Sequence, residues 1–239
     1  MGKKKNAKKL AKYGVKDRGA AARKQKRIKL LVAVALLLLL GIVLFLVLRN
    51  GPNENDAVPP GEVQPGAQPK PVVSIEMENG AIIKAELDPV NAPNTVRNFI
   101  ALAEDGFYDG LTFHRVIPGF MIQGGCPDGT GLGGPGYAIR GEFPNNGHQN
   151  SLLHTRGVIS MARTEVPDSA GSQFFITVAD QPFLDGDYAA FGVVIEGMEE
   201  VDRIAAVQRD QTDRPLEEQR IRRVSVEKFG VVYDPPEKI

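Results

Sequence analysis

The chain has 239 residues, 42% hydrophobic and 24% charged, a balance that fits one ordinary globular domain with appendages. Its 29 basic and 29 acidic residues cancel only in sum: residues 1–29 hold 13 Lys and Arg against the single acid Asp17, and the other 210 residues hold 16 bases and 28 acids. The single cysteine, Cys126, excludes an internal disulfide framework and any cysteine-based zinc site.

Residues 1–29 form a basic tail, with Lys3-Lys4-Lys5 and Arg23-Lys24-Gln25-Lys26-Arg27 as its densest runs. From Leu30 to Leu48 there follow 19 residues without a charge, enough helix to span roughly 28 Å, close to the hydrocarbon core of a bilayer. A buried soluble helix would keep a polar stripe, and this run has none. A cleavable signal peptide is the rival reading. The run is longer than a signal core, however, and Val47-Leu48-Arg49-Asn50 offers no small-residue cleavage site. The expectation is an uncleaved transmembrane anchor at 30–48. The basic excess ahead of it predicts a cytoplasmic N-terminus and an extracytoplasmic body, at the cell membrane if the source is bacterial. Beside an anchor, topology and lipid headgroups account for the tail, with no nucleic acid required. Asn6 stands where a myristoylation signal needs Ser or Thr after Gly2.

Residues 49–71 carry six prolines and three glycines and read as an extended tether. Val72-Val73-Ser74-Ile75-Glu76-Met77 is strand-like and runs into Asn79-Gly80, a hairpin signal, with Ala81–Leu87 as the returning strand. Pro93 to Ala103 predicts a helix with Val96, Phe99, Ile100 and Ala103 on one face and Gly106 as its stop. Further strand-like segments are Val116–Gln123, Gly157–Ala162, Gln173–Val178, Phe191–Ile195 and Ile221–Phe229, with a second short helix at Met198–Val207. Two helices among many short strands predict a closed antiparallel barrel with helical caps. The expected organisation is therefore tail 1–29, anchor 30–48, linker 49–71, domain 72–232 and C-terminal tail 233–239.

Three stretches carry the chemistry: Phe113–Gly125 (FHRVIPGFMIQGG), Gly157–Arg163 continuing to Ala170–Ile176 (AGSQFFI), and Phe183-Leu184-Asp185-Gly186 closing with Phe191-Gly192. In order and spacing they resemble the signature of the cyclophilins, over roughly Val72 to Val232. The resemblance implies a mainly β, eight-stranded barrel capped by two helices, and a peptidyl-prolyl cis/trans isomerase without cofactor, metal or covalent intermediate. It implies proline-containing segments of unfolded or folding proteins as partners.

Such a reaction needs little chemical equipment. Rotation about an X-Pro bond must overcome about 18–20 kcal/mol of amide resonance. An apolar socket for the proline ring and a fixed cation that favours the pyramidal, twisted nitrogen can lower that barrier. A thousandfold gain takes about 4 kcal/mol. Arg115 is the candidate cation, since its guanidinium is always charged and forms directed hydrogen bonds. By resemblance, Phe120, Met121, Phe175 and Leu184 line the socket with Phe113 beside it, and Phe183 and Tyr188 are among the substrate-binding residues. Gln123 and Gln173 orient Arg115 and the substrate backbone, Ala162 and Arg163 meet an extended peptide, and His114 flanks it.

Three positions depart from the best-known eukaryotic cyclophilins: Phe183 replaces Trp, Tyr188 replaces His and Arg163 replaces Asn, all in the manner of bacterial relatives. At most weak cyclosporin binding is expected, because the missing indole is a drug contact of the family. Gly129-Thr130-Gly131-Leu132-Gly133-Gly134 fits the dinucleotide pattern, but Pro135-Gly136 follows where a helix should open. His148 and His154 lack the cysteine company of a metal site, and no partnered Ser-His-Asp arrangement is visible around Ser172 or elsewhere. The leading expectation is an isomerase acting on exported proteins. The alternative is a membrane-tethered proline-peptide binding module, chaperone or scaffold whose isomerase activity is incidental.

Overall fold

The computed structural model describes residues 68–239. The basic tail, the apolar run 30–48 and linker residues 49–67 lie outside the described residues, and no described helix is long and apolar enough to cross a membrane.

Eight strands form one antiparallel, curled sheet: β1 (Val72–Met77), β2 (Ile82–Leu87), β3 (Arg115–Ile117), β4 (Met121–Gly124), β5 (Val158–Met161), β6 (Phe174–Thr177), β7 (Ala190–Glu196) and β8 (Ile221–Glu227). Their order across the sheet is β3-β4-β6-β5-β7-β2-β1-β8. Curling brings the two ends together without a ladder between β3 and β8. The segments ahead of them meet instead, through a bridge between Thr112 and Arg220 and the bonds Phe113 N–H to Gln219 O (2.9 Å) and Ile221 N–H to Leu111 O (2.8 Å). The expected full strand-to-strand closure is thus replaced by a curled sheet tied at its ends.

Local sequence explains most elements. Alternate residues of β1 are buried, and Asn79-Gly80 closes the hairpin to β2, with Gly80 at φ +88° and Ala81 N–H donating to Asn79 Oδ1 at 2.9 Å. The stretch Val116–Gln123, expected as one β-rich segment, is two strands folded on a turn. Pro118 interrupts the ladder, and Gly119 at φ +73° supplies the reversal that sets Phe120 N–H on Ile117 O at 3.0 Å.

Helix α1 (Pro93–Glu104) buries Val96, Phe99, Ile100 and Ala103, and α2 (Met198–Ala205) buries Val201, Ile204 and Ala205. Phe99 anchors the interior: its ring lies 4.9 Å from Tyr108, 5.4 Å from Phe174 and 5.3 Å from Phe191, as offset and edge contacts that aromatic pairs favour. No side chain on α1's own N-cap satisfies its first amides. Glu142, buried at 5% exposure, does so from a distant loop, accepting from Asn94 N–H (3.0 Å), Thr95 N–H (2.8 Å) and Thr95 Oγ1 (2.7 Å).

The segment 233–239 lies along the domain. Glu237 exchanges backbone hydrogen bonds with the Asn94 side chain (2.8 and 3.0 Å), and Ile239 does so with the Ala138 backbone (2.9 and 3.2 Å).

Glu142→Ala would strand three buried donors at the start of α1. The expected loss is about 2–4 kcal/mol of unfolding free energy, read from chemical denaturation. A loss under about 0.5 kcal/mol would show that another group caps this helix.

Candidate active site

The register across four strands sets the site. Arg115 on β3 faces Gln123 on β4, which faces Phe175 on β6, which faces Ser160 on β5. Directly paired residues share a face, so these four form one row on the outer side of the curled sheet. Ile122 and Phe174, one step away on their strands, belong instead to the interior core.

On the outer face Met121, Phe175 and Leu184 form a second apolar cluster, only 2%, 5% and 5% exposed, with Ile117, Phe120, Ala162 and Tyr188 packed around it. It floors a cleft of about 390 Å³ whose walls also include His114, Arg115, Gln123, Gly131, Arg163 and Arg214. Gln181 ties the walls of this socket to each other. Its Nε2 donates to Gly119 O (2.9 Å) at the turn that carries Phe120, and its backbone N–H donates to His154 O (2.7 Å). Leu184 N–H in turn donates to Gln181 O at 3.0 Å, in the short helical turn Pro182–Leu184.

Arg115 is half-exposed beside this socket, with its Nη1 donating to Gln123 Oε1 at the long limit of 3.5 Å. Gln123 Nε2 donates to Gln173 Oε1 (3.0 Å), and Gln173 Nε2 donates to the carbonyls of Gly131 and Gly133 (both 2.9 Å). The glycine-rich loop therefore turns carbonyls toward a glutamine, and the orientation of Arg115 is relayed through two amides to that loop. Gly131 has φ +83°, and a β-carbon there would sit 3.5 Å from His114 Nε2.

Sequence reasoning missed the loop before β8. Asp213, at φ +64°, places its carboxylate 3.9 Å from Arg115 Nε and accepts from Arg209 Nε at 3.1 Å, while its carbonyl takes Val116 N–H at 2.8 Å. Asp is among the few residues that tolerate this left-handed backbone, which is the one signal a sequence could have offered. Thr130, Thr212 and Arg214 also line the cleft.

The remaining expected residues divide by place. Ala162 and Arg163 line the cleft, and Ala162 N–H is bonded to Gln173 O at 2.9 Å. The Arg163 guanidinium lies over the rings of Tyr188 (4.6 Å) and Phe143 (5.1 Å), and its Nε donates to Asp187 O at 2.8 Å. Phe183 is 66% exposed at the rim, its ring 5.7 Å from Phe120. Phe113 is not in the cleft. At 1% exposure it packs edge-on against Phe174 in the interior and supports the site from behind. Gln173 contacts the cleft through Gln123 and itself lines an adjoining groove with Gly131–Pro135.

His114 is 7% exposed and neither ring nitrogen has a hydrogen-bond partner among the described residues. Burial lowers its pKa, outweighing the Thr112 backbone, which favours the charged ring, and the charges of Arg214 and Arg115 lower it further. Hydrogen bonds from Cys126 and Thr130 likewise lower the pKa of the exposed Asp128 carboxyl, to about 2.

A partnered Asp–His–Ser arrangement does exist, contrary to the reading of the sequence. His154, buried at 2% exposure, places Nδ1 2.9 Å from Asp185 Oδ1 and Nε2 3.0 Å from Ser160 Oγ. It is not a nucleophile site, because Ser160 has no exposed surface and sits under the socket, where the His154 ring lies parallel to Phe175 at 6.0 Å. Burial lowers the His154 pKa despite Asp185, so the neutral ring donates from Nδ1 and accepts the Ser160 hydroxyl at Nε2.

A curled eight-stranded sheet with an apolar socket on its outer face and an arginine at the socket's edge defines a proline-recognising domain of the cyclophilin class. The family described as cyclophilin type peptidyl-prolyl cis-trans isomerase/CLD matches residues 72–226. Peptidyl-prolyl cis-trans isomerase B of Bacillus subtilis is 54% identical over 123 residues, 52% of this chain and 82% of that protein. A peptidyl-prolyl cis-trans isomerase of Arabidopsis thaliana is 43% identical over 157 residues, covering 65% and 93%. The crystal structure of a Cryptosporidium parvum cyclophilin type isomerase in the presence of the dipeptide Ala-Pro superposes with a TM-score of 0.60 at 35% identity, covering 65% of this chain and 98% of that one. The chain belongs to the cyclophilin-type peptidyl-prolyl cis/trans isomerases, and its activity is rotation of the X-Pro bond.

Two buried neutral histidines impose a pH dependence. Their folded pKa values lie below the usual 6.5, so the unfolded chain binds more protons as pH falls. Their stabilising contribution is present in full above the unfolded value and is lost as pH drops through it toward the folded one. The thermal midpoint is expected to fall between about pH 7.5 and pH 5.5, with a shallower slope in His154→Asn. A midpoint that climbs across this interval would show the rings to be charged in the fold.

Proposed function

We propose that Arg115 is the catalytic cation and that the Met121–Phe175–Leu184 socket, walled by Phe120 and Tyr188, grips the proline ring. The observation that carries this reading is the single row in which Arg115 and Gln123 lie beside Phe175, so that one face offers a cation and a ring-sized apolar floor together. With the ring held, the guanidinium donates toward the prolyl nitrogen. It thereby favours the pyramidal nitrogen of the twisted amide over the planar ground state, and no bond is made or broken. Preorganised donors of this kind contribute several kcal/mol, in the range that a thousandfold acceleration of about 4 kcal/mol demands. Gln123 and Gln173 act as positioning residues. Ala162 and the Arg163 backbone meet the peptide as an added strand, and neutral His114 flanks it. Phe183 stands at the rim without an indole, which supports weak cyclosporin binding at most.

Arg115→Ala is expected to lower kcat/KM for an Ala-Pro peptide by roughly 10²–10³, with an unchanged circular dichroism spectrum. Full turnover in a folded variant would remove Arg115 from the role.

The reading extends to the setting of the reaction. The apolar run 30–48 behind a basic tail supports an uncleaved anchor, with the domain on the extracytoplasmic side acting on exported chains as they fold. Uncatalysed isomerisation takes tens of seconds or longer and can limit folding. The full chain is expected to stay with membranes through an alkaline carbonate wash, while a chain lacking 30–48 washes off. In intact cells or spheroplasts the domain should be open to external protease. Recovery of the full chain in the soluble fraction would sink the anchor.

A further inference from the structure

The described domain is acidic, with 15 Lys and Arg against 25 Asp and Glu in residues 68–239. Its cleft is not. Three guanidinium groups line it, those of Arg115, Arg163 and Arg214, and none of the described lining residues carries a carboxylate.

The three arginines are differently occupied. Arg115 shares Asp213 with Arg209. Arg163 is stacked between two rings, with Nε on Asp187 O and Nη1 on Thr164 O at 2.8 Å. Arg214 alone presents a guanidinium that makes no hydrogen bond or ion pair among the described residues. Its backbone, by contrast, is fixed: the N–H donates to Asp210 Oδ1 (3.1 Å) and the carbonyl accepts Asp210 N–H (2.8 Å). Its Nη2 reaches within 3.7 Å of where a β-carbon on Gly129 would stand, on the wall shared with His114 and Thr130. The carboxylates of the flanking loops accept hydrogen bonds from other groups, and Asp210 also takes the Arg214 backbone N–H. Asp210 accepts from the Thr212 N–H and hydroxyl, Asp128 from Cys126 and Thr130, and Asp213 from Arg209.

A cation on a fixed stem, facing a cleft without anions, is a complementary site for a carboxylate arriving on the substrate. We infer that Arg214 gives the isomerase a preference for segments bearing Asp or Glu immediately before or after the proline. This inference rests on the reading of the cleft as the proline site. Arg214 then sets specificity and not chemistry, while the acidic exterior slows weakly held acidic segments except where the cleft's own charge receives them.

The test uses the full chain in a mild detergent and two peptide series, with Glu, Gln, Lys or Ala immediately before or immediately after the proline. In at least one series the wild type should show kcat/KM for Glu about tenfold above Lys at low salt, shrinking toward unity at about 0.5 M salt. Arg214→Ala should collapse the ratio to about twofold and Arg214→Glu should invert it, whereas Arg97→Ala on α1 should leave it unchanged. Equal rates for Glu and Lys in both series, or a ratio that survives both Arg214 substitutions, would overturn the inference. The Ala peptides separate the two readings: if the wild type does not turn them over, the proline site itself is misplaced.

Discussion

The site depends on one constraint, the antiparallel register that runs from β3 through β4 and β6 to β5. Strand residues alternate faces, so a strand apolar on successive residues must bury both faces. In β4 and β6 the inward residues Ile122 and Phe174 join the aromatic interior, and the outward Met121 and Phe175 form the socket floor. Interior packing and socket geometry are therefore set by the same hydrogen-bond ladders. A slip of one residue would exchange the two sets and abolish both.

The cation is held in a complementary way. An arginine half-exposed and 3.9 Å from a carboxylate gains little stability from that pair. The value of Asp213, Gln123 and Gln173 lies in direction. In the proposed role, a guanidinium meeting a prolyl nitrogen would lose catalytic benefit if it were free to wander, and the amide relay to the glycine-rich loop restrains it without neutralising it. The loop's glycines serve this relay: the carbonyls of Gly131 and Gly133 turn onto Gln173, with Gly131 held at φ +83°.

Local signals made much of this visible in the chain. The Asn79-Gly80 hairpin, the buried face of α1 and the apolar residues of the socket follow from turn chemistry, period and motif. What the sequence hid was long-range or irregular. Phe113 and Arg115 share parity, which suggests a common face, yet the segment entering β3 is not regular strand and turns Phe113 inward. Pro118-Gly119 splits an apolar run that reads as continuous. The partners of His154 lie 6 and 31 residues away, on β5 and on the turn after Leu184, and only the fold brings them together. Asp213 and Arg214 sit in a polar loop with no periodicity to mark them.

The buried polar relay beneath the socket has its own physical reason. Ser160 lies opposite Phe175 on the face that becomes the socket floor, so its hydroxyl would be an unsatisfied polar group under an apolar surface. His154 accepts that hydroxyl and passes the interaction to Asp185, next to Leu184. The backbone of the same histidine receives Gln181, whose side chain reaches back to the turn that carries Phe120. One satisfied network thus joins three walls of the socket, and a ring that ionised would weaken all three at once. The apolar pocket proposed to receive proline keeps its shape because of the hydrogen bonds directly behind it.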